Sequence, residues 1–180
     1  TFSINPNAVI QRILLDQAMI NVEDINPVHD IKTFTTATYT GVGGRTSESF
    51  TTNDRRYPKD GIGTISEATP DSGAVGISAT LSMDPVVANV DGFIETPESR
   101  GYQYNPTNVL SISNVLMPCT TQDDGKRANF VNIQLSHQMA TTNSECMRIR
   151  TGYERVMAHR VSKLYAYPAE QDGKVIEDDK

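Results

Sequence analysis

The residues best equipped for chemistry lie between Gln122 and Arg155. There an acidic pair, Asp123 and Asp124, is followed almost at once by a basic pair, Lys126 and Arg127. A polar run with Asn132, Gln134, His137 and Gln138 comes next, and the stretch closes on Arg150-Thr151-Gly152-Tyr153-Glu154-Arg155. An arginine presents a planar, permanently charged fork of donors that matches phosphate oxygens. Each of these residues also has a plainer reading. Asp124 stands where a helix N-cap would stand, Arg127 can be a surface arginine paired with Asp124, Lys126 a solvated cation, and His137 a structural hydrogen-bonder. Other chemistries lack their parts. No D-x-D-G-D-like carboxylate cluster is present to grip a metal. The glycines from Gly41 to Gly44 are not followed by the G-K-[ST] of a phosphate-binding loop. Cys119 and Cys146 have neither C-x-x-C spacing nor nearby histidine pairs, so reduced, buried thiols are expected rather than zinc. The three histidines are scattered and no G-x-S-x-G elbow occurs, which leaves a free-standing Ser-His-Asp hydrolase without support.

The elements that must position these residues are only partly legible. Asn5-Pro6 reads as an N-cap with proline at the first helical position, and Ile10, Ile13, Leu14 and Gln17 follow at helical spacing, which predicts a helix from about Pro6 to Ile20. The β-branched, Thr-rich run Thr33 to Thr40 predicts a strand entering the Gly41–Gly44 turn, whose plain reading is a hairpin turn. Gly, Asp and Pro punctuation from Pro58 to Gly76 predicts a long ordered loop. Leu164-Tyr165-Ala166-Tyr167 and Lys174-Val175-Ile176, on either side of Gln171-Asp172-Gly173, predict a C-terminal β-hairpin. Within the key stretch Val131, Ile133 and Leu135 alternate with polar residues, which by periodicity alone predicts a strand. No repeat or low-complexity linker marks a domain boundary.

Composition narrows the class. The 180 residues suffice for one domain or two small lobes. An apolar content of 37% with no tryptophan is low for a self-contained globule and implies surface buried against partners. A net charge of −6 argues against a free-standing nucleic-acid binder, which normally carries a basic footprint. No apolar run approaches the ~20 residues that span a bilayer, and no signal-peptide pattern opens the chain, so a cytoplasmic protein that does not engage membranes is expected.

The stretch from Gln122 to Arg155 resembles the active-centre segment of the β subunit of multisubunit, cellular-type RNA polymerase, in which D-D-x-N-R, N-M-Q-R-Q and G-T-G-M-E-R follow one another. Asp123, Asp124, Lys126 and Arg127, then Asn132, Ile133, Gln134, His137 and Gln138, then Thr151, Gly152, Glu154 and Arg155 stand at the matching positions. Further blocks resemble the family in the same order. Asn26-Pro27 with Asp30-Ile31 resembles N-P-L-S-E-I, and Gly41-Val42-Gly43-Gly44-Arg45-Thr46 resembles the fork-loop G-P-G-G-L-T. Arg55, Pro58, Gly61 and Gly63 fall like R-D-x-H-P-x-x-x-G, and Thr69-Pro70-Asp71 with Gly76-Ile77 like E-T-P-E-G-P-N-I-G-L. Asn89, Asp91-Gly92-Phe93-Ile94-Glu95-Thr96-Pro97 and Arg100 resemble N-E-Y-G-F-L-E-T-P-Y-R. The resemblance runs from about Leu15 onward. Retained order with reduced size is most similar to the split polymerases of giant bacteriophages, the alternative being a reduced plasmid- or organelle-type polymerase.

What the resemblance implies is an α+β, irregular, loop-rich fragment of the β subunit, covering its fork and active-centre region and not an autonomous fold. One segment would span 1–180, with an N-terminal helix, strand and fork loop (1–60), a central loop and strand region (61–120), and an active-centre helix and C-terminal hairpin (121–180). A helix then starts near Asp124, against the strand reading, with Phe130, Ile133 and Gln134 on shared faces. Arg127 and Lys126 would meet nucleoside triphosphate phosphates, with Asp124 positioning Arg127 or a mobile element of a partner. Asn132, Gln134, His137 and Gln138 would line the RNA–DNA hybrid, and Gly43, Gly44 and Arg45 would form the fork loop. This chain would hold no metal; Mg²⁺ would sit on a partner β′-like subunit, and the other partners would be further β-like fragments, template DNA and transcript RNA, with the partners supplying most of the basic channel. The implied place is the cytoplasm of the host cell, with the virion as a second. Thr33-Phe34-Thr35-Thr36 stands where the family has H-K-R-R, and Gly73-Ala74 where it has Pro-Asn, so groups that serve nucleic acid and rifamycins in bacterial enzymes are absent. The competing class is a β-strand-rich structural virion protein with no catalytic role.

Overall fold

The computed structural model describes residues 3–95, 98–99, 101, 103–145, 147–161, 163, 165–167, 169–174 and 176. It is a mixed arrangement of short helices and one two-stranded sheet, joined by long irregular segments.

Helix α1 (Pro6–Leu14) starts as its sequence predicts, with the Asn5 side chain accepting from the Asn7 N–H at 3.1 Å and Pro6 at the first position. It stops six residues short of the expected Ile20. Asp16 is the reason: its carboxylate accepts from the Ala18 N–H at 2.8 Å and its carbonyl from the Met19 N–H, so a local turn replaces the next helical turn. Helix α2 (Pro27–Thr35) repeats the same opening, with Asn26 accepting from the His29 N–H at 2.8 Å. The predicted strand from Thr33 shrinks to β1 (Thr36–Thr38), because Thr33 to Thr35 form the last turn of α2. The hydroxyls of Thr33 and Thr35 donate to the carbonyls of His29 and Ile31, and this i−4 bonding overrides β propensity.

β1 pairs antiparallel with β2 (Ser78–Thr80), Thr36 opposite Thr80 and Thr38 opposite Ser78, and the Tyr39 N–H extends the ladder to Ile77. Between the strands, residues 58–76 form the expected ordered loop, broken only by a 3₁₀ turn (Lys59–Gly61) and the isolated Ile65–Leu81 bridge. Three helices follow: α3 (Pro106–Val109), α4 (Ile112–Leu116) and α5 (Gly125–Ser136). The last helix is α6 (Glu154–Arg160). The helix reading of the key stretch therefore holds over the strand reading. In the expected C-terminal hairpin the described residues carry no strand, and Leu164 and Val175 lie outside the described residues.

Two kinds of packing hold this together. An apolar cluster of Met83, Ile112, Val115 and Met157 joins α4 and α6, with Val28 and Ile31 of α2 against it. Fully burying side chains of this kind is worth about 1.5–3 kcal/mol each. Beside it lies a polar interior in which Ser111, Ser113, Asn114, Asn132 and Ser136 are at most 2% exposed. Their partners are internal. Glu67 accepts from the Ser111 N–H (2.9 Å), the Ser111 hydroxyl (2.6 Å) and the Asn114 amide, while Asn114 also donates to the Ala128 carbonyl at 3.2 Å. Those bonds fix α4 and the central loop against α5. Cys119 is a free thiol as expected but is exposed and not buried, at φ 63° in the turn after α4; Cys146 lies outside the described residues.

Candidate nucleotide and nucleic-acid site

Helix α5 carries most of the predicted site. Its N-cap is Asp124, whose carboxylate accepts from the Arg127 N–H at 2.9 Å and so satisfies one of the orphan donors of the first turn. Asp124 thus holds the arginine by its backbone and forms no ion pair with the guanidinium among the described residues. Lys126 and Arg127 are both exposed and flank the Phe130 ring, Nζ at 5.6 Å and the guanidinium carbon at 5.9 Å from its centroid. No acidic residue occupies the first turn. Two cations at the positive end of a helix dipole oppose it by about 0.3–1 kcal/mol each. The Asp124 carboxylate at the cap offsets part of that conflict, and an anion bound there would relieve the rest.

Helical geometry sorts the polar residues that follow. At 100° per residue Gln134 returns to the azimuth of Arg127 after seven residues, about 10 Å further along. Asn132 points to the opposite side. It is 2% exposed and its side-chain oxygen accepts from the Ser113 hydroxyl at 3.1 Å, so the expected hybrid contact by Asn132 is corrected to a buried brace between α4 and α5. Gln134, His137 and Gln138 are exposed. His137 caps the helix, and its Nδ1 lies 2.8 Å from the Ile133 carbonyl, which can only accept, so Nδ1 is the donor. The predicted structural hydrogen bond is therefore made, and the ring lies 6.1 Å from His29.

The C-terminal end of α5 is anchored by residues that the sequence reading did not single out for this purpose. The Asn26 amide donates to the carbonyls of Leu135 (2.9 Å) and Gln138 (2.8 Å), and Lys32 Nζ donates to the Ser136 hydroxyl at 3.3 Å. Burial pushes the Lys32 amine below the usual lysine range. The Asn-Pro pair at 26–27 was a readable helix-start signal; its reach to α5 was not.

The turn expected to be a fork loop is built by its glycines. Gly41 and Gly43 have φ of 116° and 77°, the Gly44 N–H donates to the Gly41 carbonyl at 3.0 Å, and a Cβ on Gly44 would sit 2.5 Å from the Tyr39 oxygen. Arg45 is committed within the same loop. Its guanidinium donates to the Ser49 carbonyl at 2.9 Å, lies 3.7 Å from Asp54 and stacks 4.3 Å from the Phe50 centroid. Hydrogen bonds from Thr51 hold the Asp54 carboxyl below the usual range. Arg45 braces the turn.

Sequence-distant blocks meet beneath that turn. Arg55 donates to the carbonyls of Gly73 and Val75, and Gly76 packs on the Arg55 backbone, enclosing a cavity of about 440 Å³ whose walls include Tyr39, Tyr57, Glu67 and Thr69. Tyr57 is pushed up to about 12 by burial and by the nearby Glu67 carboxylate. The Thr69 N–H donates to the Asn129 side chain at 3.1 Å, so the loop at 69–71 lies against α5. In the remaining motif Glu154 accepts from the N–H groups of Gly152 (2.9 Å) and Thr151 (3.3 Å) at the start of α6. At 89–95, Asn89 organises a turn by accepting from Asp91 and Phe93, while Thr96, Pro97 and Arg100 lie outside the described residues. Among the described residues no three His, Cys, Asp or Glu side chains converge on a point where they could hold a metal ion, and no helix is long and apolar enough to cross a membrane.

No curated protein matches this chain. Residues 1–48, which carry α1, α2, β1 and the glycine turn, match the family model of bacteriophage RNA polymerase, and through that stretch the chain is related to phage RNA polymerases.

Proposed function

We propose that this chain is a β-like piece of a multisubunit DNA-directed RNA polymerase, of the split kind found in giant bacteriophages, and that it supplies triphosphate and hybrid contacts to template-directed RNA synthesis. The observation that carries the reading is the exposed pair Lys126 and Arg127 on the first turn of α5, which make no salt bridge among the described residues and follow the Asp124 cap. The relation of residues 1–48 to bacteriophage RNA polymerase supports the polymerase part of the reading from the other end of the chain.

In nucleotidyl transfer a 3′-hydroxyl attacks the α-phosphorus and pyrophosphate leaves. Carboxylates of a β′-like partner would hold Mg²⁺, which would supply activation of the attacking oxygen and neutralisation of the leaving group's charge. Arg127 would grip the triphosphate with its guanidinium fork, Lys126 would add a second cation, and neither would transfer a proton. Their part is to orient the nucleotide and offset charge that grows on the leaving phosphates. Gln134 on α5 would follow the growing end of the hybrid, with His137 and Gln138 just past the C-terminal end of the helix. Residues 41–45 would form a stiff turn at the edge of the bubble, in which Arg45 shapes the loop through Asp54 and Phe50. The site of action would be the host cytoplasm, with the virion as a second place.

The test is single-nucleotide addition by the assembled enzyme. Arg127→Ala raises the nucleotide KM or slows addition by roughly 10-fold or more, as loss of a charge-assisted contact of ~1.5–3 kcal/mol implies. The isolated chain adds no nucleotide with Mg²⁺. Unchanged kinetics in the variant across a range of nucleotide concentrations reject the assignment.

A further inference from the structure

The chain is acidic overall, yet five of its 16 lysines and arginines fall within residues 148–163, where the only carboxylate is Glu154. That carboxylate is turned onto the N–H groups of Thr151 and Gly152 and makes no salt bridge among the described residues. The same two bonds fold the loop bearing Arg148 and Arg150 back onto the first turn of α6. On α6, Met157 is 6% exposed and faces the apolar core. Arg160 is drawn inward to the Met83 carbonyl at 2.9 Å and to Asp84 at 3.4 Å. Arg155 and His159, four residues apart, share another side of the helix and are exposed. Just beyond, Tyr167 is 69% exposed with Lys163 Nζ 4.9 Å from its ring centroid.

We propose that residues 147–161, 163 and 165–167 form a contact surface for single-stranded nucleic acid, with Arg148, Arg150, Arg155 and Lys163 meeting phosphates and Tyr167 offering its ring to a base. Exposed cations beside an exposed aromatic ring are the pairing that single strands use, since every base has a face to stack once it is free of its duplex. The acidity of the rest of the chain does not forbid it. At physiological salt, charges more than about 8 Å away are largely screened. Among the described residues, the carboxylates that the fold brings to this segment are Asp24 and Asp30, beside Tyr165, and Asp84, paired with Arg160, so Arg148, Arg150, Arg155 and Lys163 are the cations left for phosphate. The surface is separate from the one proposed above, which places nucleic acid at α5 and residues 41–45.

The experiment is fluorescence anisotropy of a 5′-labelled 15-nucleotide oligouridylate titrated with the full chain at several salt concentrations. Binding should weaken with salt at a slope of roughly −3 in log–log form, as four phosphate contacts on a single strand predict. Arg148→Gln with Arg155→Gln should reduce that slope by about 1.4. Tyr167→Ala should weaken binding roughly tenfold at every salt concentration without altering the slope. All three positions are exposed, so the variants should retain the parent's circular dichroism. Lys59→Ala, at an exposed lysine outside both surfaces, should leave this binding unchanged. The oligonucleotide assay reads Arg148, Arg155 and Tyr167 and the nucleotide assay reads Arg127, so the two outcomes are distinct. Equal affinity for the matching duplex, unaltered binding in both variants, or capture by phosphatidylserine vesicles with no binding of the oligonucleotide would each overturn the proposal.

Discussion

Asn26 carries two duties on one side chain, and the structure allows them to be separated. Its oxygen caps α2 by accepting from the His29 N–H, and its amide nitrogen donates to Leu135 and Gln138 at the end of α5, more than 100 residues away. Asn26→Ala removes both. Loss of the cap costs about 1 kcal/mol, and loss of two hydrogen bonds costs about 0.5–1.5 kcal/mol each. The expected total is roughly 2–4 kcal/mol, a large share of the 5–15 kcal/mol that stabilises an ordinary domain. Asn26→Ser keeps an oxygen able to cap but has no amide to reach α5, so it should lose only the second part, about 1–3 kcal/mol. Urea unfolding of the full chain followed by far-ultraviolet circular dichroism measures both. The order parent, Ser variant, Ala variant in falling stability is expected. If the two variants unfold together within about 0.5 kcal/mol of the parent, the bridge from α2 to α5 is not a stabilising feature and the reasoning fails.

Gly76 has φ 72° and a Cβ there would sit 2.1 Å from the Arg55 oxygen, so Gly76→Ala should destabilise the chain by at least about 1–3 kcal/mol. Gly73→Ala, with nothing within 4 Å, should stay within about 0.5 kcal/mol of the parent, and the same urea titration compares them. Glu154 is held below the usual carboxylate range, first by its own N–H and then by those of Gly152 and Thr151. Because the folded pKa is the lower one, its stabilisation is present above the unfolded value of about 4.3 and is lost as pH falls through the folded value. Protection of the Gly152 amide from hydrogen exchange should therefore be flat from neutral pH down to about pH 5 and drop in stronger acid. In Glu154→Gln that drop should vanish, and an identical acid profile in the two proteins would refute the link.

What the sequence determined by itself was local chemistry. Asn5-Pro6 announced a helix start because cap and proline act within one turn, and the glycines from Gly41 to Gly44 announced a turn because glycine takes the positive φ seen at Gly41 and Gly43 without a Cβ penalty. Asp124 was readable as a cap for the same reason. The helix over residues 125–136 was settled only by resemblance, since its apolar residues also fit a strand. Tertiary structure decided the rest. Thr33 to Thr35 joined a helix because their hydroxyls found carbonyls one turn back, a choice that β propensity cannot anticipate. Asn132 left the site for the interior because Ser113 of α4 waits there with a hydroxyl. Arg45 became a brace because Asp54 and Phe50 close on it, and Lys126 and Arg127 kept free charge because no carboxylate folds onto them among the described residues. An ordered list of residues gives each side chain's donors and charge. Whether those are spent inside the protein or left for a ligand depends on partners that only the folded chain brings within reach.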